Sequence, residues 1–98
     1  MKGCKMCELV KNPDTEVYYE DDYMIILKNI DTHNYDEKRL CIWKNHQKHL
    51  VKVELSVFFK KLLKIKNELN KTDKWWDIVI SLQSNPQHFH MHLARRTK

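Results

Sequence analysis

The stretch that most limits what this chain can become is His88-Phe89-His90-Met91-His92-Leu93, where histidine alternates with an apolar residue. On an extended strand successive side chains point to opposite faces, so this spacing sets three imidazoles in one row and Phe89, Met91 and Leu93 behind them. A helix turns by about 100° per residue and would scatter the rings around its circumference. The segment is therefore predicted to be a strand with one chemical face and one packing face. Imidazole is the commonest metal ligand and also the side chain suited to acid, base or nucleophilic work near neutral pH, so the row points to metal binding, catalysis or both. The plainer alternative is a polar strand face at a sheet edge.

The rest of the chain must give that strand partners. Its 98 residues are expected to form one domain, 1–98, that includes an N-terminal knuckle over 1–15. With 42% apolar and 32% charged residues the composition is globular rather than disordered. No window approaches the ~20 apolar residues of a membrane span, and the N-terminus lacks the apolar run of a secretory signal. No membrane association is expected, and a cytoplasmic location, with the nucleus as the other option. A formal charge of +5 favours an anionic ligand such as phosphate without indicating nucleic acid by itself. Three cysteines are an odd number, which suits a reducing compartment better than a disulfide framework.

Residues 16–20 and 23–27 read as two antiparallel strands joined by a bend at Asp21-Asp22. After a polar connection over 29–36, residues 39–43 form a third strand, in which Cys41 is a packing residue. Between 51 and 69, apolar Val51, Leu55, Phe58, Phe59, Leu62, Ile65 and Leu69 recur at helical spacing, and Asn70-Lys71-Thr72-Asp73 is the stop. Lys60, Lys61, Lys64 and Lys66 fit a solvated face of that helix. Residues 75–82 are a fourth strand, with Trp75 and Trp76 facing opposite ways and both expected in the core via the strand end, the alternative being that one covers the site or a partner, and 83–86 a turn into the histidine strand. The pattern predicts an α+β fold: a mostly antiparallel five-stranded sheet with one long helix packed on it.

Cys4-Lys5-Met6-Cys7 brings two thiols together near the start of the chain. They can chelate one ion from a tight turn, and because a structural site wants four ligands and no second such pair exists, histidines must complete it. A redox pair would need a strand before Cys4, and free thiols are the remaining option. His46 and His49, just after the third strand, are candidates to complete the site, although either alone also fits a solvated basic turn.

Through Ala94 the histidine run fits the His-φ-His-φ-His-φ-φ motif, and the chain resembles the histidine triad superfamily in other places too. Residues 17–27 are similar to the family's first hairpin, Trp43-Lys44-Asn45-His46 to its Pro-Lys-x-His, and Cys4-Lys5-Met6-Cys7 to the zinc-binding start of many members. The resemblance implies one structural zinc on Cys4, Cys7, His46 and His88, with His49 as the rival of His46 because Trp43 stands where proline is usual. It implies that His90, bare on an open face, is the nucleophile toward a nucleotide α-phosphate, and that His92 hydrogen-bonds the phosphoryl oxygens or the leaving group. Asn85 then falls where a small polar residue touches the phosphate, and Asn29 and Ile30 align with the Asp-Ile pair that holds ribose and base. The implied activity is that of a nucleotide hydrolase or nucleotidyltransferase, cutting a phosphoric anhydride or phosphoramidate through a nucleotidyl-histidine.

Some places depart from the pattern. Residues 83–87 carry no glycine, which is more like the aprataxin branch that removes adenylate from nucleic-acid 5′ ends. The sequence stops at Lys98, soon after the triad, so an open site that accepts a large leaving group is expected. Members often pair as homodimers. The competing expectation is a non-catalytic, zinc-stabilised module that grips nucleic acid through Lys44, Lys48, Arg95 and Arg96.

Overall fold

A computed structural model describes residues 3–30, 32, 35–72, 75–80 and 87–96. Along the chain run α1 (Lys5–Lys11), β1 (Val17–Glu20), β2 (Met24–Asn29), β3 (Tyr35–Trp43), α2 (Lys52–Thr72), β4 (Trp76–Val79) and β5 (His90–Arg96). The strands form one sheet in the order β1-β2-β3-β5-β4, with every pairing antiparallel. The α+β architecture follows the sequence pattern. No helix among the described residues is long and apolar enough to cross a membrane.

Alternation along the strands sorts the side chains onto two faces. Met24, Ile26, Cys41, Trp43, Trp76, Met91 and Leu93 pack with Phe58 and Leu62 of α2. Burying each of those two helix side chains is worth about 1.5–3 kcal/mol, which fixes α2 on this face. Ile25, Leu27, Leu40 and Ile42 point the other way, against Cys4, Met6 and Leu9 at α1. His90 pairs with Ile42 and His92 with Leu40, so both imidazoles belong to this second face. Cys41 is a packing residue as expected, its thiol pushed far up by burial.

The hairpin is tied to α2 at one carboxylate. Asp21 Oδ1 accepts the amides of Tyr23 and Met24 at 2.8 and 2.9 Å, while Oδ2 accepts the Tyr19 hydroxyl at 2.7 Å and the Lys61 ammonium. Burial works against the charge of Asp21, but the donors, led by Lys61, outweigh it and hold the carboxyl well below the usual range. Lys61 is thus an anchor rather than part of a wholly solvated face.

Several boundaries differ from the sequence expectation. The tight turn expected at Cys4–Cys7 is the head of a helix, with Cys4 as N-cap and its sulfur accepting the Cys7 amide at 3.4 Å. Strand β3 begins at Tyr35, because its early polar residues still pair across to β2 and β5. Helix α2 runs to Thr72, through the expected stop: the Asn70 side chain accepts the Trp76 amide at 3.0 Å and donates to its carbonyl at 3.3 Å, bracing the next strand from within the helix. Strand β4 starts at Trp76, and Trp75, at φ 79°, leaves the core and is 52% exposed. Residues 81 and 82 of the expected strand and the turn 83–86 lie outside the described residues.

A histidine row and a candidate metal centre

Strand β5 begins at His90, so His88 stands just before the ladder instead of within it. Phe89 explains the departure: its amide donates to the Gln47 carbonyl at 2.6 Å and its carbonyl accepts the Trp43 amide at 3.3 Å. The His88 side chain is carried toward the N-terminal helix. Its Nδ1 lies 3.4 Å from both Cys4 Sγ and Cys7 Sγ, and His46 Nδ1 lies 3.2 Å from Cys7 Sγ. The ligand atoms of Cys4, Cys7, His46 and His88 all fall within 4.8 Å of one another, a cluster that can hold a metal ion.

The order of the exit turn decides between the two candidate histidines. Trp43 is buried, stacked on Tyr23 with ring centroids 5.9 Å apart, and its Nε1 donates to Gln47 Oε1 at 3.0 Å. Gln47 in turn donates to Glu54 Oε1 at 3.0 Å. This chain of bonds pins Gln47, and His46 just before it faces Cys7, whereas His49 beyond it is exposed and outside the cluster. The Trp43 carbonyl, which has no signature in a sequence, accepts His88 Nε2–H at 2.5 Å. That bond leaves the Nδ1 lone pair for an ion.

His90 is anchored the other way round. Its Nδ1–H donates to the His88 carbonyl at 2.9 Å, which leaves Nε2 as an unprotonated nitrogen. Nε2 is buried and has no hydrogen-bond partner. The expectation of a bare ring on an open face is corrected here: His90 is 0% exposed and His92 8%. The row runs down the middle of the sheet beside Ile42 and Leu40, not along a solvated edge. An unpartnered buried nitrogen costs about 1–3 kcal/mol, and the lone pair held this way is open to a ligand that reaches it.

The His92 ring meets His90 edge-on, with centroids 5.5 Å apart. Asn29, at the end of β2, brings its amide nitrogen to 3.5 Å from His92 Nδ1. With Asn29 donating, the other ring nitrogen of His92 carries the proton. Burial above all, then the charge of Lys38, pushes His92 down to about 4, so it is neutral at pH 7. Lys38 was not among the residues singled out from sequence; starting β3 at Tyr35 would have placed it on the histidine face. Ile30 is 78% exposed, and Asn85 lies outside the described residues.

The basic residues of the competing reading are largely engaged elsewhere. Lys44 pairs with Glu20 at 2.7 Å, Arg96 with Asp77 at 2.8 Å and Arg95 with Asp36 at 3.7 Å, while Lys48 is exposed.

Comparison with solved structures places this geometry in a known fold. An HIT family hydrolase from Clostridium thermocellum is similar at a TM-score of 0.75 and 22% identity, over 100% of this chain and 94% of that one. A histidine triad protein from Clostridium difficile gives 0.77 and 18%, again over 100% and 94%. A HIT family protein from Bacillus anthracis gives 0.77 and 20%, over 99% and 75%. No family model and no curated protein matches the sequence.

Proposed function

We propose that this chain, which has the histidine triad fold, is a nucleotide hydrolase or nucleotidyltransferase that attacks the α-phosphate through His90. The observation that carries the reading is the Nδ1–H bond of His90 to the His88 carbonyl, 2.9 Å, with Nε2 unpartnered. The His90 Nε2 lone pair forms a bond to the α-phosphorus while the bond to the leaving oxygen or nitrogen breaks, and the leaving atom keeps that electron pair. His92, neutral and protonated on the nitrogen away from Asn29, donates to a phosphoryl oxygen or to the departing atom. Water or another acceptor then takes the nucleotidyl group and returns His90 to its starting state. Because Nε2 is buried, substrate entry displaces the side chains that cover it.

Zinc is the ion that suits the Cys-His cluster. Bonds of about 2.3 Å to sulfur and 2.05 Å to nitrogen in a tetrahedron set sulfur and nitrogen about 3.5 Å apart, close to the 3.2 and 3.4 Å separations present. Bound there, zinc would be a structural cross-link between the head of α1, the exit turn of β3 and the entry to β5. Asn29, Ile30 and Asn85 complete the proposal as contacts to ribose, base and phosphate.

The test is release of a mononucleotide from an adenylated amine, a dinucleoside polyphosphate and an adenylated nucleic-acid 5′ end. The wild-type protein is expected to release it from at least one of them, with the nucleotide trapped on His90 after a denaturing quench at alkaline pH, where a phosphorus–nitrogen bond survives. Undiminished release by His90→Ala would remove the assigned nucleophile.

A further inference from the structure

Beyond His92, the end of the row farthest from the cysteines carries a cation that the chemistry above does not use. Asn29 stands directly opposite Lys38 in the β2–β3 ladder, and Lys38 opposite Ala94 in the β3–β5 ladder. Lys38 and Ala94 lie two positions from Leu40 and His92 on their strands, so all share the histidine face. The Asn29 amide reaches across β3 to His92, passing beside Lys38. The Lys38 side chain is half-buried, its ammonium 5.7 Å from the centroid of the Tyr35 ring. No acid among the described residues pairs with it, in contrast to Arg96 farther along the same face, which Asp77 neutralises.

A half-buried ammonium, uncompensated by an acid and sharing a face with a neutral imidazole and a neutral amide, is a place for an anion. We propose that Lys38 binds a phosphate of the substrate, holding it from the Asn29 end of the histidine row. The inference rests on the nucleotide reading above and narrows it, since a nucleotide held by Asn29 and His92 would carry its phosphates within reach of this lysine. The phosphate has two sources: the reacting α-phosphate itself, or a second phosphate ester on a ribose hydroxyl, as in a 3′-phosphorylated nucleotide. The charge of Lys38 also opposes protonation of His92, which keeps that ring in the neutral form the reaction uses.

The experiment titrates the metal-loaded protein with adenosine, adenosine 5′-monophosphate and adenosine 3′,5′-bisphosphate by calorimetry, comparing wild type with Lys38→Met and Lys38→Arg. Lys38→Met is expected to weaken phosphate-bearing ligands by about tenfold or more while adenosine binding is unchanged, and Lys38→Arg to retain most of the affinity. Equal loss for both phosphates assigns Lys38 to the α-phosphate; loss for the bisphosphate alone assigns it to the ribose ester. Unchanged affinity for both phosphates, an equal loss for adenosine, or no nucleotide binding by the wild type overturns the proposal. Metal content and melting temperature report whether Lys38→Met is folded, and Lys38→Gln replaces it if it is not. A protein that binds through Lys38 yet releases no nucleotide defeats the catalytic reading alone, and release that ignores Lys38 defeats this inference alone.

Discussion

His88 and His90 lie two residues apart, and each is anchored through the opposite ring nitrogen. His88 donates Nε2–H to the Trp43 carbonyl and turns Nδ1 toward two sulfurs, whereas His90 donates Nδ1–H to the His88 carbonyl and keeps Nε2 unshared. A backbone acceptor behind the ring selects which lone pair is presented, so the two neighbouring imidazoles offer different nitrogens, which is what the proposed roles of ligand and nucleophile require. The two ends are also coupled: the carbonyl that fixes His90 belongs to His88, a member of the Cys-His cluster. A bound ion would therefore hold the acceptor on which the His90 tautomer depends.

The largest effect is expected from removing the presented nitrogen itself. His90→Ala should lower nucleotide release on the order of 10³-fold or more while metal content stays at that of the wild type. Next comes the other end: Cys7→Ser or His88→Ala should lose the ion. The cost in stability is expected to be at least ~3 kcal/mol, a fall of about 12 °C or more in melting temperature for a chain of this size. Elemental analysis and thermal melts separate the two. If His90→Ala also lost the ion, the division of labour along the row would be wrong.

How much of this was legible without coordinates depended on whether the signal lay in side-chain order. The alternation in 88–93 pointed to the histidine face and the Cys-x-x-Cys to a pair of thiols that histidines would have to complete, because ligand type and spacing are written in the residues; the set Cys4, Cys7, His46 and His88 came from the resemblance to the histidine triad family. That His88 stands outside the ladder was hidden, since it follows from the Phe89 backbone bonding to Gln47 and Trp43. The choice of His46 over His49 was hidden for a similar reason, as it rests on Trp43 and Gln47 pinning the turn. Burial of His90 is a property of its position mid-sheet, which a local pattern does not carry. Trp75 and Trp76 look alike in sequence, and only the backbone at Trp75, with its positive φ, distinguishes the exposed ring from the buried one.

A smaller and graded effect is expected from His92, at the other end of the row. Its ordinary value near 6.5 is lowered to about 4 in the folded protein. Above pH 6.5 the ring is neutral whether folded or unfolded; between 6.5 and 4 the unfolded chain takes up a proton that the folded protein refuses. Stability should therefore fall with acid across that window, with no further loss from this group below it. His92→Gln should remove that part of the slope in denaturant titrations run from pH 7 to 4. An identical slope in the variant would mean that His92 is not held neutral.

The smallest effect lies off the row, where the Asp21–Lys61 pair ties the hairpin to α2. Neither residue faces the histidines, so breaking the pair serves as the control for both ends. The Asp21 carboxyl is lowered in the folded state, and its contribution is fully present above the unfolded value near 3.9 and is lost as pH falls through the folded one. Lys61→Met leaves the Asp21 carboxylate its Tyr19 and backbone donors, so a loss of only about 1 kcal/mol is expected at pH 7. That difference should shrink in strong acid, where the carboxylate it contacts takes up a proton. Metal content and nucleotide release should match the wild type in this variant. A change in either would show that the hairpin and the row are coupled through the sheet, and the comparison of the two histidines would then need α2 as a third term.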